Sequence, residues 1–280
     1  MKRALIALNV AIVVVTIMAM PSCKNQKDTE ADVLYQQIVS AYENEAYETA
    51  LMLIDSLHRT YVTRVDVRRC ADTIAWRIDL LNTKEQIPIV DSLLEQRCQE
   101  AEVMAKNFKY EKNEQYQDLG DYEHQRLLTA NNLGRTYLHA RTNEHGEFSI
   151  TAQHVGKAIN MRSITVTVDD VPVSSEQLGE ESYNAFAPDG SSTRENLLLN
   201  ANAAGDIPQF VADNYTGKNK VNVTLHGDSD FSFVMTSNDV AAFVETYRLS
   251  LLLKEIHQLQ MQKETNAKKL VLLQEHLQEL

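Results

Sequence analysis

Glycine and proline are scarce in this chain, nine and five among 280 residues, and that scarcity argues against an all-β or collagen-like architecture. The usual signatures of chemistry are missing as well. There is no HExxH and no paired CxxC, so none of the eight histidines shows a ligand spacing with a mechanical reason behind it. No GxSxG, SxxK or Cys–His pattern marks a nucleophile, and no glycine-rich loop marks a phosphate site. Asp169-Asp170 and Asp228-Ser229-Asp230 could offer oxygens to calcium, yet the EF-hand pattern with its terminal Glu is absent and a charged turn accounts for them. The acids are too many and too scattered to nominate a glycosidase pair. Basic charge is also short: 27 Lys and Arg face 39 Asp and Glu, a net charge of −12 that disfavours nucleic acid as a partner. The chain reads as non-enzymatic, with no cofactor and no metal.

What is present is 44% hydrophobic residues, enough for an ordered globular chain with a sizeable core. The first 22 residues have three parts: Lys2 and Arg3, an apolar run from Ala4 to Met20 broken only by Asn9 and Thr16, and then Pro21-Ser22 before Cys23. The alternative to a cleaved export signal is an uncleaved apolar anchor, for which the run's 17 residues are marginal in spanning a hydrocarbon core of about 30 Å. The segment resembles a lipobox, with Met20 and Ser22 fitting its apolar and small positions and Pro21 departing from it. That resemblance implies export, cleavage before Cys23 and lipidation of Cys23, with the membrane as a partner through the lipid. Cys-Lys lacks the Asp after Cys that retains many lipoproteins at the inner membrane, which favours the outer membrane. Cleavage would remove two cations, shifting the charge from −12 to −14 on the remaining 258 residues, enough for one large or two modest domains. Residues 24–32 are polar and charged and read as the end of a short tether spanning 23–32.

Helical spacing begins at Leu34, Ile38, Val39 and Tyr42 and resumes at Tyr47, Ala50, Leu51, Ile54 and Leu57, two short helices separated near Asn44-Glu45. Ala46-Tyr47-Glu48-Thr49-Ala50-Leu51, with Tyr42 upstream, resembles the start of the second helix of a tetratricopeptide repeat, which implies a TPR-like helical hairpin; only about one repeat is visible. A third helix is expected over Val65–Leu81, then a break at Asn82–Ile87, because Pro88 suits the first turn of a new helix. That new helix carries Ile87, Val90, Leu94, Arg97, Ala101, Met104 and Phe108 at 3,4 spacing. If the two helices fold back about the break, Cys70 and Cys98, each fourteen residues from Lys84, become neighbours. In an oxidising compartment that makes a Cys70–Cys98 disulfide plausible, against the alternative of two inert thiols.

Residues 109–134 are a polar transition. From Arg135 the period shifts toward 2, with strands expected at Thr136–Thr142 and Glu147–Gln153 across Asn143-Glu144-His145-Gly146, at Ile164–Val168, and at Val221–Leu225 and Phe231–Met235. Residues 187–192 read as a turn and Ala201–Asp206 as a loop. The last segment, Asp239 to Leu280, has no Gly or Pro, and Leu249, Leu252, Ile256, Leu259, Lys263, Asn266, Leu270, Leu273, Leu277 and Leu280 follow an a/d heptad. Such a seam must be buried, on the chain's own helices or on a second copy. Lys263 and Asn266 form a consecutive polar layer within it.

The expected fold class is α+β: N-terminal helical hairpins and a long antiparallel helical stalk, with an antiparallel β domain inserted at its distal end. The boundaries are a signal at 1–22, a tether at 23–32, TPR-like helices and the first stalk helix at 33–111, a mostly β domain at 112–236 and a coiled-coil helix at 237–280. In general plan the chain resembles uncharacterised lipoproteins of Gram-negative envelopes, a resemblance carried by the signal and loosely by residues 42–51. It implies export and no activity; the long stalk and the absent catalytic signatures point to a membrane-anchored interaction or assembly module, with a protein partner or a homodimer through the C-terminal helix. A second reading is a glycan or small-ligand binder, with Tyr137, Tyr183 and Tyr215 as stacking residues and His139 and Arg141 beside Tyr137 on one strand face. A hydrolase assembled only in the fold is the third.

Overall fold

Apolar residues at helical spacing account for the first elements of the chain. The computed structural model describes residues 23–179, 183–186 and 193–278, with the side chains of 23–27 and 183–186 excepted. The export signal at 1–22, the turn at 187–192 and Leu280 lie outside the described residues, as do the side chains of Cys23 and Tyr183. The chain divides into two units, residues 1–87 with 266–280, and residues 88–265.

In the first unit, α1 (Cys23–Glu43) and α2 (Tyr47–Thr60) bury Ala31 and Ile38 against Ala50, Ile54 and Leu57. The first half of α3 (Val65–Ala105) adds Val67, Ala71, Ile74 and Ile78 to the same cluster. The small residues Ala31, Ala50 and Ala71 are fully buried, where a larger side chain would hold the helices apart. The break near Asn44-Glu45 falls where it was expected: Glu45 takes a positive φ of 58°, and Asn44 Nδ2 donates to the Ser40 carbonyl 2.7 Å away, capping α1. Residues 23–32, expected as a tether, are instead the opening turns of α1. The arginine of the α2–α3 turn explains part of this, since Arg64 donates to the Asp28 carbonyl and to the Asp32 carboxylate, each at 2.7 Å, as well as to Asp66 at 3.0 Å. These carboxylates hold the Arg64 guanidinium above its ordinary pKa, and Arg64 in turn holds the Asp66 carboxyl below its own.

Pro88 does not end a helix. α3 runs unbroken from Val65 to Ala105 with Pro88 inside it, at a cost of about 3 kcal/mol for the lost hydrogen bond and the steric conflict. Pro88 lies on the exposed face, as does Lys84. Water can therefore serve the Lys84 carbonyl that the ring leaves without a donor. The correction removes the hairpin on which a disulfide depended. Cys70 and Cys98 are free thiols, both on α3. Intact mass measured before and after reduction should be identical; a difference of two hydrogens would require the helix to be broken.

α6 (Ser237–Gln278) departs from its expected heptad at two positions, Leu252 and Lys263. Leu249, Leu253, Ile256 and Leu259 are buried in the second unit, so Leu253 takes the interior position expected of Leu252. There Ala101 and Phe108 face Leu249, Leu253 and Ile256, and Arg97 reaches Glu255 at 3.0 Å. Phe108, expected on the helix, has passed into β1 (Phe108–Glu111). In the first unit Asn266 and Leu273 are buried, Lys269 pairs with Asp79 at 3.2 Å, and the Trp76 and His276 rings lie 5.2 Å apart. The chain's own α3 therefore lines the seam in each unit. Of the polar layer, Lys263 points out to Asp91 at 2.8 Å, while the Asn266 amide is buried with no partner for its Nδ2. An unpaired buried amide is costly. Asn266→Leu should raise stability by about 1 kcal/mol, read from the midpoint of urea unfolding; a fall in stability would mean the amide finds a partner in solution.

The second unit also holds two antiparallel sheets. The larger has the order β1-β2-β3-β4-β8-β7, from β1, β2 (Asp121–His124), β3 (Tyr137–Asn143), β4 (Phe148–Gly156), β8 (Thr193–Leu199) and β7 (Tyr183–Phe186). The smaller has β10 (Phe231–Val234), β9 (Val221–His226), β5 (Ser163–Val168) and β6 (Val171–Ser174). Alternation decides the facing: Ile164, Val166 and Val168 of β5 and Val221, Val223 and Leu225 of β9 go inward, where they join Ile150, Ala152, Leu197 and Leu199 and the α6 residues Val240, Phe243 and Val244 in one core. Buried Glu195 accepts from the backbone N–H groups of Ile159 and Met161 and so fixes the connection between β4 and β5. The expected loop Ala201–Asp206 contains a short helix, α4 (Ala201–Ala204), capped by Asn200 Oδ1 accepting from Ala203 N at 3.0 Å. α5 (Ile207–Asn214) follows, with Pro208 in its first turn.

Candidate functional site

Period 2 places Tyr137, His139 and Arg141 on one face of β3, as expected, but that face is covered. Tyr137 is 2% and His139 4% exposed. The cover is the segment between β2 and β3. Tyr137 Oη donates to the Leu127 carbonyl at 3.4 Å, Thr129 Oγ1 lies 3.4 Å from His139 Nδ1, and the Arg135 guanidinium sits 4.7 Å from the Tyr137 ring centre. Arg135 is itself held by two hydrogen bonds of 2.7 Å to Asp239, and lowers the pKa of that buried carboxyl against the effect of burial. The face is therefore interior at Tyr137 and His139, while the Arg141 side chain remains 30% exposed. Tyr215 is half-buried against the core.

Burial has an electrostatic consequence here. His139 Nε2 has no hydrogen-bond partner and lies 3.6 Å from Glu123, with Arg141 on the other side of that carboxylate at 3.7 Å. Desolvation, helped by Arg141, pushes His139 down to about 4, and burial raises the Glu123 carboxyl. His124 is also lowered by burial, although Glu245 at 3.1 Å works against the shift.

Of the cavities that open in this unit, one brings together residues that the sequence does not nominate for binding. A cleft of about 470 Å³ lies among α3, α6, β2 and the tip of the β3–β4 hairpin. Its floor is apolar, from Ala101, Ala105, Leu249, Leu253 and Ile256, and its rim is polar, from Glu102, Glu144, His145 and Gln260, with Cys98 and Tyr122 between. That volume falls in the range of small-ligand sites. Among the described residues Cys98 makes no hydrogen bond to a base that would activate it, and no group of three His, Cys, Asp or Glu is placed to hold a metal ion.

The hairpin tip is held firmly. Asn143 Oδ1 accepts from the backbone of His145 and Glu147 at 3.0 and 2.9 Å. Gly146 takes φ +77° and rests directly on the α6 backbone, where a Cβ would collide with the Ser250 carbonyl oxygen and the Lys254 nitrogen. Beside it the His145 and His257 rings stack at 3.8 Å with 17° between their planes. Glu144 accepts from Tyr110 Oη at 2.6 Å and from the Gly120 N–H at 3.2 Å. The phenol's hydrogen bond holds the Glu144 carboxyl down, and the carboxylate pushes Tyr110 up to about 12. The signal for this site in the sequence was the Gly146 turn, which was read only as a hairpin connection. The acids of the β9–β10 turn are structural: Asp230 accepts from His226 at 3.0 Å and Asp228 from Asn160 at 2.5 Å.

No helix among the described residues is long and apolar enough to cross a membrane. Comparison with family models, with characterised proteins and with solved structures finds no match to this chain.

Proposed function

We propose that the protein is a lipid-anchored lipoprotein of the cell envelope that works by binding, as an interaction or assembly module, and catalyses no reaction itself. Cys23 carries the lipid, the outer membrane holds it, and the second unit engages the partner. The observation that carries the binding reading is the cleft between α3, α6 and the hairpin tip, whose apolar floor and polar rim suit a partner's side chains. Support for the tether comes from Lys2 and Arg3, the apolar run to Met20, and Ser22 before Cys23. The histidines outside the cleft add weight, because His124, His139, His154 and His226 are occupied with Glu245, Thr129, Thr136 and Asp230 in holding the fold.

The cleft's volume gives the small-ligand reading a claim on the same site, and one experiment separates the two. A photoactivatable amino acid placed at Gln260, on the rim, should crosslink to a second polypeptide of discrete mass when the cells that make the protein are irradiated. The same substitution at Met52, exposed on α2 in the other unit, should not give that adduct. Recovery of a small molecule from Gln260, without any polypeptide adduct, would overturn the assembly reading in favour of ligand binding.

A further inference from the structure

The two readings of the N-terminal segment, lipid on Cys23 or a retained apolar anchor, agree on where the bilayer must be. In either case it meets the chain at the start of α1, since the apolar run Ala4–Met20 stops just before Cys23. What lies beside that start in the first unit is the α2–α3 turn. Arg64 of the turn is bonded to Asp28 and Asp32 of α1, so the turn stands level with Asp28, about 8 Å along the helix from Cys23. Its apolar side chains are uncovered: Val62 is 60% and Val65 51% exposed, and Val33, 53% exposed on the adjacent turn of α1, borders a groove that reaches Tyr61.

The charges at this end are disposed to permit contact with lipid. Asp28, Asp32 and Asp66 would repel an anionic surface, and Arg64, paired with all three, offsets one of their charges and draws the carboxylates onto itself, away from the exposed valines. Glu30 is the remaining acid of the groove. Arg68 donates to the Val62 carbonyl at 3.0 Å, which ties the turn's backbone down and leaves the Val62 side chain outward. Apolar side chains on a turn that stands about 8 Å along α1 from the anchored residue match the chemistry of the headgroup and acyl boundary.

We propose that the α2–α3 turn is a membrane-docking surface, in which Val62, Val65 and Val33 enter the interfacial layer of the bilayer that carries the anchor. The inference rests on the proposed tether. It adds to the tether a fixed orientation: the first unit stands on its turn instead of swinging on a leash.

The test uses the full chain, processed in cells and reconstituted in vesicles of phosphatidylethanolamine and phosphatidylglycerol, with Cys70→Ser and Cys98→Ser. A polarity-sensitive dye is attached at Val62→Cys, or at Glu43→Cys, twenty residues from Cys23 at the far end of α1. A lipidated Cys23 is a thioether and takes no dye. Brominated lipid should quench the dye at 62 several-fold more than the dye at 43, and Val65→Asp with Val33→Asp should abolish the difference while flotation with vesicles and the helical circular dichroism persist. Equal quenching at both positions in protein that floats would overturn the docking and leave the tether standing. Protein that fails to float and takes dye at Cys23 would overturn both.

Discussion

Gly146→Ala should unfold the hairpin from α6 and cost about 3 kcal/mol or more in stability. Two penalties add at this position. The backbone holds φ +77°, a region where an L side chain is strained, and the new Cβ would meet main-chain atoms of Ser250 and Lys254 that cannot rotate away. Both are helix backbone, so relief requires the whole tip to lift. Lifting would break the His145–His257 stack and open the wall of the cleft to which Glu144 and His145 belong. Urea unfolding gives the energy, and amide exchange of residues 143–147 gives the local effect. Wild-type stability with unchanged exchange would mean that the tip is not seated on α6.

Stability should also fall by about 3 kcal/mol between pH 6.5 and pH 4 because His139 is buried without a partner for Nε2. In the folded chain its pKa is pushed down to about 4 from the ordinary 6.5, so over that interval the unfolded state takes up a proton that the folded state refuses. The stabilisation is complete above the unfolded value and is lost as pH falls toward the folded one. His124, lowered by burial, acts in the same direction. Glu123, raised by burial 3.6 Å from His139, accepts a proton more readily in the folded state and offsets part of the loss at the lower end. Asp239 behaves differently: its lowered pKa keeps its contribution intact until the pH drops below the ordinary carboxylate range. His139→Phe should flatten the stability profile between pH 6.5 and 4. A profile of the same slope in the variant would assign the acid sensitivity to other groups.

The α6 heptad was legible because a seam repeated over many turns leaves one way to bury leucine, and Leu253 for Leu252 is a shift of one position. The strands with clean alternation, β3, β4, β5, β9 and β10, were legible for the same reason, since period 2 repeats long enough to be seen. β1 and β2, four residues each, are too short to show a period, and β2 reads Asp-Tyr-Glu-His, with nothing apolar but the tyrosine ring. Strands this short hide from the sequence the cover over Tyr137 and His139. Without β2 and the turn around Thr129–Asn131 there was no cover for that face, and polar side chains looked solvated. Pro88 misled for another reason. A proline rule describes a local cost, while packing along the rest of a 41-residue helix decides whether the cost is met. The cleft was illegible because its walls come from four elements distant in sequence, and only the Gly146 turn left a local trace.

The proposed tether at Cys23 is the premise on which the proposed docking of the α2–α3 turn rests. The intact mass of the chain extracted from the membrane fraction tests it most directly. The expected result is a polypeptide beginning at Cys23, free of residues 1–22, heavier than its sequence by a lipid modification that maps to the first peptide and is lost, together with membrane retention, in Cys23→Ser. A chain that keeps residues 1–22, or one that begins elsewhere and carries no lipid, would contradict it.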